Sequence, residues 1–348
     1  MDMSDSTRLR LEPADEGMHP VEEAVNFNES MYVNVFDHAQ QLGGWFRVGN
    51  RPNEGHAEMS CCVYLPDGRV GFMHQRPPIS DNAALDRAGM RFEVLEPFAR
   101  MRVTYHGSLC VLGDPQAMRD PKRAFRENPV VAAEVQLDLE GVSPMFGGEQ
   151  VDADRQPVQE APEDAFARGH YEQHVRGRGH FVVGTERFTV DGLGLRDHSW
   201  GPRYWQNLLW YRWLPMSFTE DFALNVSVVT LRTGAPRVWG MVLTRGADGE
   251  KRYDHVVSGS VESDYGDGRQ ALGQRVQLRT ASGRDYVVEG RALACIPLRN
   301  RRKQDDGVWL ETRITEAMTR YVCDGHVGYG MAEYLDQMNG EEPAGYPT

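Results

Sequence analysis

The sequence predicts an all-β fold built as two antiparallel barrels or sandwiches, and three observations carry that expectation. Runs of six to eleven β-rich residues recur along the whole chain, Gly and Asp turns separate them, and no segment shows the 3.6-residue period of a long helix. At 348 residues the chain is long for one core, while 40% hydrophobic residues suffice for two. Thirty-six glycines suit that many turns and bulges.

Taken in order, residues 1–24 contain MDMSDSTRLRLEPADEG and are expected to form a mobile acidic arm. A first β unit is expected over 25–190. Within it, AEMSCCVYLPDGRVGFMH (57–74) places Pro66-Asp67-Gly68 between two apolar runs, which is a hairpin signature. MRFEVLEP from Met90, ARMRVTYHGSLCVL from Ala99 and VVAAEVQLDLEG from Val130 continue the strand pattern. Residues 143–172 are acidic, Pro-containing and weakly periodic, as expected of a crossover with one short helix near Pro162–Ala167. A second β unit is expected over 191–348, through FALNVSVVTLR, PRVWGMVLTR, YDHVVSGSVES and the strands that follow.

Charge and cysteines narrow the function. With 38 basic and 51 acidic residues the net charge is −13, and the one basic cluster is Arg299-Asn300-Arg301-Arg302-Lys303, so nucleic-acid binding is not expected. The amino terminus has no signal-peptide pattern and no window reaches the ~20 apolar residues of a membrane span, so a cytoplasmic protein without integral membrane association is expected. Five cysteines without a C-x-x-C pair suit free thiols in a reducing compartment, Cys61-Cys62 included.

The richest chemistry lies in Gly192–Trp213, GLGLRDHSWGPRYWQNLLWYRW, which holds four of the seven tryptophans. If Leu193–Trp200 is a strand, Arg196, His198 and Trp200 share one face and Asp197 and Ser199 the other. An imidazole beside a large π surface suits acid-base work on an apolar substrate, with the aromatic wall facing a developing cation. His198 and Trp200 are therefore the leading catalytic candidates, expected to line one cavity while Asp197 faces away. Asp197 and Arg196 either form an ion pair or orient His198. Of Tyr204, Trp205, Trp210, Tyr211 and Trp213, some line the pocket and some fill the core.

Other motifs support less. His170 and His174 in HYEQH have helical metal-ligand spacing but lack the Glu of a zinc-protease motif and a full ligand set, so no metal is expected and the two histidines are placed at the pocket mouth. Ser199 lacks the G-x-S-x-G turn of a nucleophile, and no G-x-G-x-x-G precedes a helix, so neither a serine hydrolase nor a nucleotide cofactor is expected. Glu333, in the Gly-spaced strand Gly328–Tyr334, is either a buried acid with a raised pKa or a rim residue pairing with arginine.

The Asp197-His198-x-Trp200 element, the aromatic strand Leu208–Trp213 and the β-rich second half resemble the carotenoid 1,2-hydratase and AttH-like superfamily, which also includes kievitone hydratase and fungal Diels-Alderases. The resemblance implies two lipocalin-like domains with a ligand cavity at or near their junction, no cofactor, and roles for His198 and Trp200. Those hydratases carry a catalytic aspartate on a later strand. SFTEDFALNVSV offers no clean match to it, so the proton donor stays open among Asp197, Glu220, Asp221 and Glu333. A cofactor-free hydro-lyase or isomerase of an isoprenoid-like or polycyclic substrate is the leading expectation. A pericyclase and a non-catalytic carrier are the rivals.

Overall fold

In the computed structural model, residues 8–158, 166–231, 235–267, 270–304 and 307–345 are described. Eight strands form the first barrel: β1 (Phe27–Asp37), β2 (Leu42–Arg51), β3 (His56–Tyr64), β4 (Val70–Gln75), β5 (Arg100–Leu112), β6 (Val130–Gly141), β7 (Gly169–Val183) and β8 (Glu186–Pro202). Each pairs antiparallel with the next, and β8 returns to pair with β1, closing the cylinder. Eight more repeat the pattern: β9 (Leu208–Thr219), β10 (Phe222–Leu231), β11 (Arg237–Arg245), β12 (Lys251–Tyr265), β13 (Ala271–Thr280), β14 (Asp285–Lys303), β15 (Trp309–Cys323) and β16 (His326–Asn339). Pairing of β9 with β16 closes the second barrel. Closure removes the sheet edges that open antiparallel sheets leave exposed.

Alternation explains how the barrels fill and how they dock. In β1, Met31, Val33 and Val35 point into the first barrel, while Tyr32 and Phe36 join a second apolar layer with Ile296, Met318, Tyr329 and Met331 of the other barrel. Both faces of β1 are therefore buried along its whole length. The second barrel has its own filling, including Leu214, Met216, Val226, Val276 and Tyr321. A short helix, Pro121–Glu127, N-capped by Asp120, lies beside this junction, and the preceding turn reaches across it through Gln116 Nε2 to the carbonyl of Cys295 at 2.7 Å.

The hairpin expected at Pro66-Asp67-Gly68 joins β3 to β4, with Gly68 at φ 88°. All five cysteines are free and buried. No helix among the described residues is long and apolar enough to cross a membrane.

Three expectations change. The second unit does not begin at 191, because β8 is the closing strand of the first barrel; the link between the barrels is Arg203–Asn207. Within the 1–24 arm, residues from Arg8 on are docked rather than mobile: Arg8–Arg10 pairs with Phe146–Val151, and Glu16 is buried against the first barrel. Most of the helix expected near Pro162–Ala167 falls outside the described residues.

Candidate active site

A cavity of about 950 Å³ opens between the barrels. From the first barrel, strand register sets Glu172, Asp197, Tyr32, Arg47 and Ser60 side by side in one row across β7, β8, β1, β2 and β3. From the second barrel, Ser227, Trp213, Glu333 and Glu316 form the facing row across β10, β9, β16 and β15. All nine side chains line the cavity, and strand neighbours share a face because the side-chain period is two.

Glu316 and Glu333 are directly opposed carboxyls, 5% and 8% exposed. Ionisation of both at such a site is strongly disfavoured, because each charge repels the other in a water-poor setting. Burial pushes Glu316 well above the ordinary carboxylate range, and the charge of Glu333 pushes it further. Burial also raises Glu333, to about 6, against the hydrogen bonds from Tyr211 and Glu316. The Tyr211 hydroxyl donates to Oε1 of Glu333, while Oε2 of Glu316 has no partner. The pair therefore holds its proton to higher pH than an ordinary carboxyl, on the cavity wall.

Across the cavity Glu172 accepts from Trp213 Nε1 at 2.9 Å and from Asn225, so a first-barrel carboxylate is held by two second-barrel donors. Burial raises its pKa, aided by Asp197. Nε2 of His170 lies 3.6 Å from Asp197 and 3.8 Å from Glu172. Burial opposes its charged form, yet the two carboxylates outweigh burial and raise its pKa. The Trp213 indole, paired in register with Glu333 and bonded to Glu172, bridges the two acid groups.

The strand alternation expected for the tetrad holds, but its faces are reversed. Asp197 looks into the cavity, whereas Arg196, His198 and Trp200 look into the end of the first barrel, on rungs with Val33, Met31 and Glu29. There His198 Nε2 lies 2.9 Å from Glu29 Oε1 and Nδ1 lies 3.1 Å from the Tyr171 hydroxyl. His19 stacks on Trp200 with centroids 3.9 Å apart and contacts the same Glu29 oxygen at 2.8 Å. Trp200 in turn lies flat on Gly169, where a Cβ would come within 2.1 Å of its ring. Burial would raise Glu29, but hydrogen bonds from His19 and His198 and their charge outweigh it and hold its pKa at about 2. Arg196 pairs with buried Glu16 at 2.9 Å. The N-terminal segment is the reason for the reversal: residues 16–19 cap this barrel end.

The remaining candidates divide. Trp205, Trp213, His170 and Glu333 line the cavity. Tyr204 does not and carries Arg302 over its ring at 3.5 Å, while Trp210 sits on the other face of β9 beside Arg212. His174 is buried along the seam, 3.4 Å from the Tyr253 hydroxyl, and burial lowers its pKa to about 4. HYEQH is strand, so its two histidines stand four residues, roughly 13 Å, apart instead of one helical turn and form no metal cluster with each other. Glu220 and Asp221 lie off the cavity in ion pairs with Arg176 and Arg245. Among the described residues, the group able to share a metal ion is His19, Glu29 and His198, whose donor atoms lie within 4.8 Å of one another.

Sequence reasoning missed Glu316, Glu172, Arg47, Arg203 and Tyr32. A signal existed for Glu316, which alternates with Ile314 and Met318 and so interrupts an apolar face.

Two closed barrels with the cavity at their junction define a double lipocalin-like fold. Within that class, the chain belongs to the family described as domain of unknown function DUF7064, whose model matches residues 12–338. The AttH-type protein NE1406 of Nitrosomonas europaea superposes with TM-score 0.53 at 12% identity, covering 94% of this chain and 96% of its own. Kievitone hydratase of Nectria haematococca gives 0.55 at 7% identity, covering 94% and 93%. CghA with Sch210972 gives 0.50 at 12%, covering 92% and 93%. At these identities the likeness is one of fold. No curated protein matches the sequence.

Proposed function

We propose that the protein is a cofactor-free hydro-lyase or isomerase that acts on an apolar, isoprenoid-like or polycyclic substrate in the junction cavity. The observation that carries this reading is the Glu316–Glu333 pair, two buried carboxyls opposed across adjacent strands in an aromatic cavity, where burial and mutual repulsion favour the protonated acid. Such an acid can transfer its proton to an alkene carbon, leaving a cation beside the Trp213 and Tyr211 rings. Water then adds to the cation and gives its proton to Asp197, the more open of the two carboxylates around His170. In an isomerase a substrate C–H proton goes there instead. One proton is given and one received, so the cycle closes by exchange between the two acid groups through cavity water. A fold relative that is a hydratase supports the reading at the level of architecture.

The test is incubation in deuterium oxide with a panel of isoprenoid alkenes and tertiary alcohols, read by mass spectrometry. Deuterium on carbon with gain of water is the hydratase outcome, and deuterium on carbon without it is the isomerase outcome. A ring-closed product without deuterium supports a pericyclase, and retained but unchanged ligand supports a carrier. Either of the last two overturns the proposal.

A further inference from the structure

Resting on the assignment of the junction cavity as the ligand site, the charge at its arginine corner says what the ligand carries. Arg203, on the link between barrels, is 8% exposed and lines the cavity. Its Nε donates to the carbonyl of Phe166 at 2.9 Å and its Nη2 to Ser199 Oγ at 2.8 Å, and no carboxylate among the described residues comes within ion-pair distance. The other deeply buried arginines are served differently. Arg196 holds Glu16 at 2.9 Å, Arg212 holds Asp336 at 2.8 Å and Arg51 holds Glu54 at 3.3 Å. Buried cations are ordinarily paired, because desolvation penalises a lone charge.

The surroundings deepen the deficit. Arg47 and Arg203 flank the same Trp205 indole, at 5.5 and 5.6 Å from its centroid. Arg47 and Arg76 both pair with Glu58, which Arg51 also approaches at 3.8 Å while holding Glu54, and Nη2 of Arg47 is buried without a partner. Asp197 acts on Arg203 only at longer range and is engaged by His170. Burial and the charge of Arg47 lower the pKa of Arg203 to about 10, which leaves it cationic at neutral pH. This positive corner sits in a chain of net charge −13. Around it the wall is apolar, with Phe166, Leu208, Val229, Ile314 and Leu298.

We infer that the ligand is an apolar molecule bearing one anionic oxygen group, a carboxylate or an acidic enol, seated on Arg203 and Arg47 with its hydrocarbon body along the apolar wall. A planar guanidinium fork matches a delocalised oxyanion, and a fixed head presents the body in one orientation to the two glutamates.

Titration calorimetry of the full chain with laurate, warfarin (an apolar acidic enol) and lauryl alcohol tests this. At least one anion is expected to bind roughly tenfold or more tightly than the alcohol, and which anion does so separates carboxylate from enol. Arg203→Gln should abolish that preference and leave the alcohol unchanged. If circular dichroism shows the Gln variant unfolded, Arg203→Lys replaces it and should reduce the preference several-fold. Equal binding of anions and alcohol, no binding of any probe, or a preference untouched by the folded Arg203 variant overturns the inference. Binding is read without turnover, so anion preference without deuterium uptake counts against the hydro-lyase reading alone. Uptake without anion preference counts against this inference alone.

Discussion

Two polar clusters sit within a few residues of each other on β8 and differ in one respect. At the end of the first barrel, Glu29 accepts from His19, His198, Asn82 and the backbone N–H of residue 19, so its hydrogen-bonding capacity is filled by protein. In the junction cavity, Glu316 keeps an oxygen without a partner, Arg203 keeps a charge without a counterion, and two acids oppose each other. A completed network lowers the free energy of the fold, whereas an incomplete one raises it and persists where a ligand completes it. The tetrad therefore marks the site from behind: Asp197 serves the cavity while its neighbours lock the wall that carries it.

The sharpest way to break this comparison is to remove the acid. Glu316→Gln is expected to lower turnover by ~10²–10⁴ with the fold intact. It should also raise the thermal midpoint, because a buried acid with a raised pKa weakens the fold above its unfolded pKa; unchanged turnover would refute the assignment. Activity should fall as pH rises through the elevated range of the pair, since the protonated form is the working one. At the other cluster, His198→Ala should instead cost ~3–5 kcal/mol of stability by stranding a buried charge, measured by urea unfolding, and should leave ligand affinity unchanged wherever the variant is folded.

Acid titration tests the same contrast at lower cost. The pKa of Glu29 is depressed from 4.5 to about 2, so its contribution is present above pH 4.5 and is lost as pH falls toward 2. The loss is on the order of 3 kcal/mol, and Glu29→Gln should flatten that part of the stability profile. The smallest effect separates the tryptophans. Trp213→Leu should slow turnover more than Trp213→Phe, by ~2 kcal/mol or roughly thirtyfold for a desolvated cation-π contact. Trp200→Phe should change only stability, by about 1 kcal/mol for the lost stacking on His19. Equal rates for the two Trp213 variants would remove the carbocation from the mechanism.

Much of the fold was legible because strand alternation and turn chemistry are local. The hairpin at Pro66-Asp67-Gly68 and the face-sharing of Arg196, His198 and Trp200 both follow from it. Which face met the cavity was not legible. Almost every residue from Leu195 to Pro202 is buried, so no apolar-polar contrast tells inside from junction. The barrel boundary was hidden for a related reason, since only long-range pairing with β1 shows that β8 belongs to the first barrel. Glu333 was found because its Gly-spaced strand drew attention. Its partner was not, because opposition across β15 and β16 is a property of register.

Closure of the first barrel by its own ends has a kinetic consequence. Ser30 and Ser199 meet across 169 positions of chain. On a ribosome adding ~5–20 residues per second, β1 waits roughly 10–30 s for the strand that covers its open side. Throughout that interval one edge of a strand that is buried in the finished barrel stands unpaired and free to recruit another nascent chain. Yield on expression should therefore respond to slower synthesis, lower temperature and holdase chaperones well before it responds to changes in the finished molecule's stability.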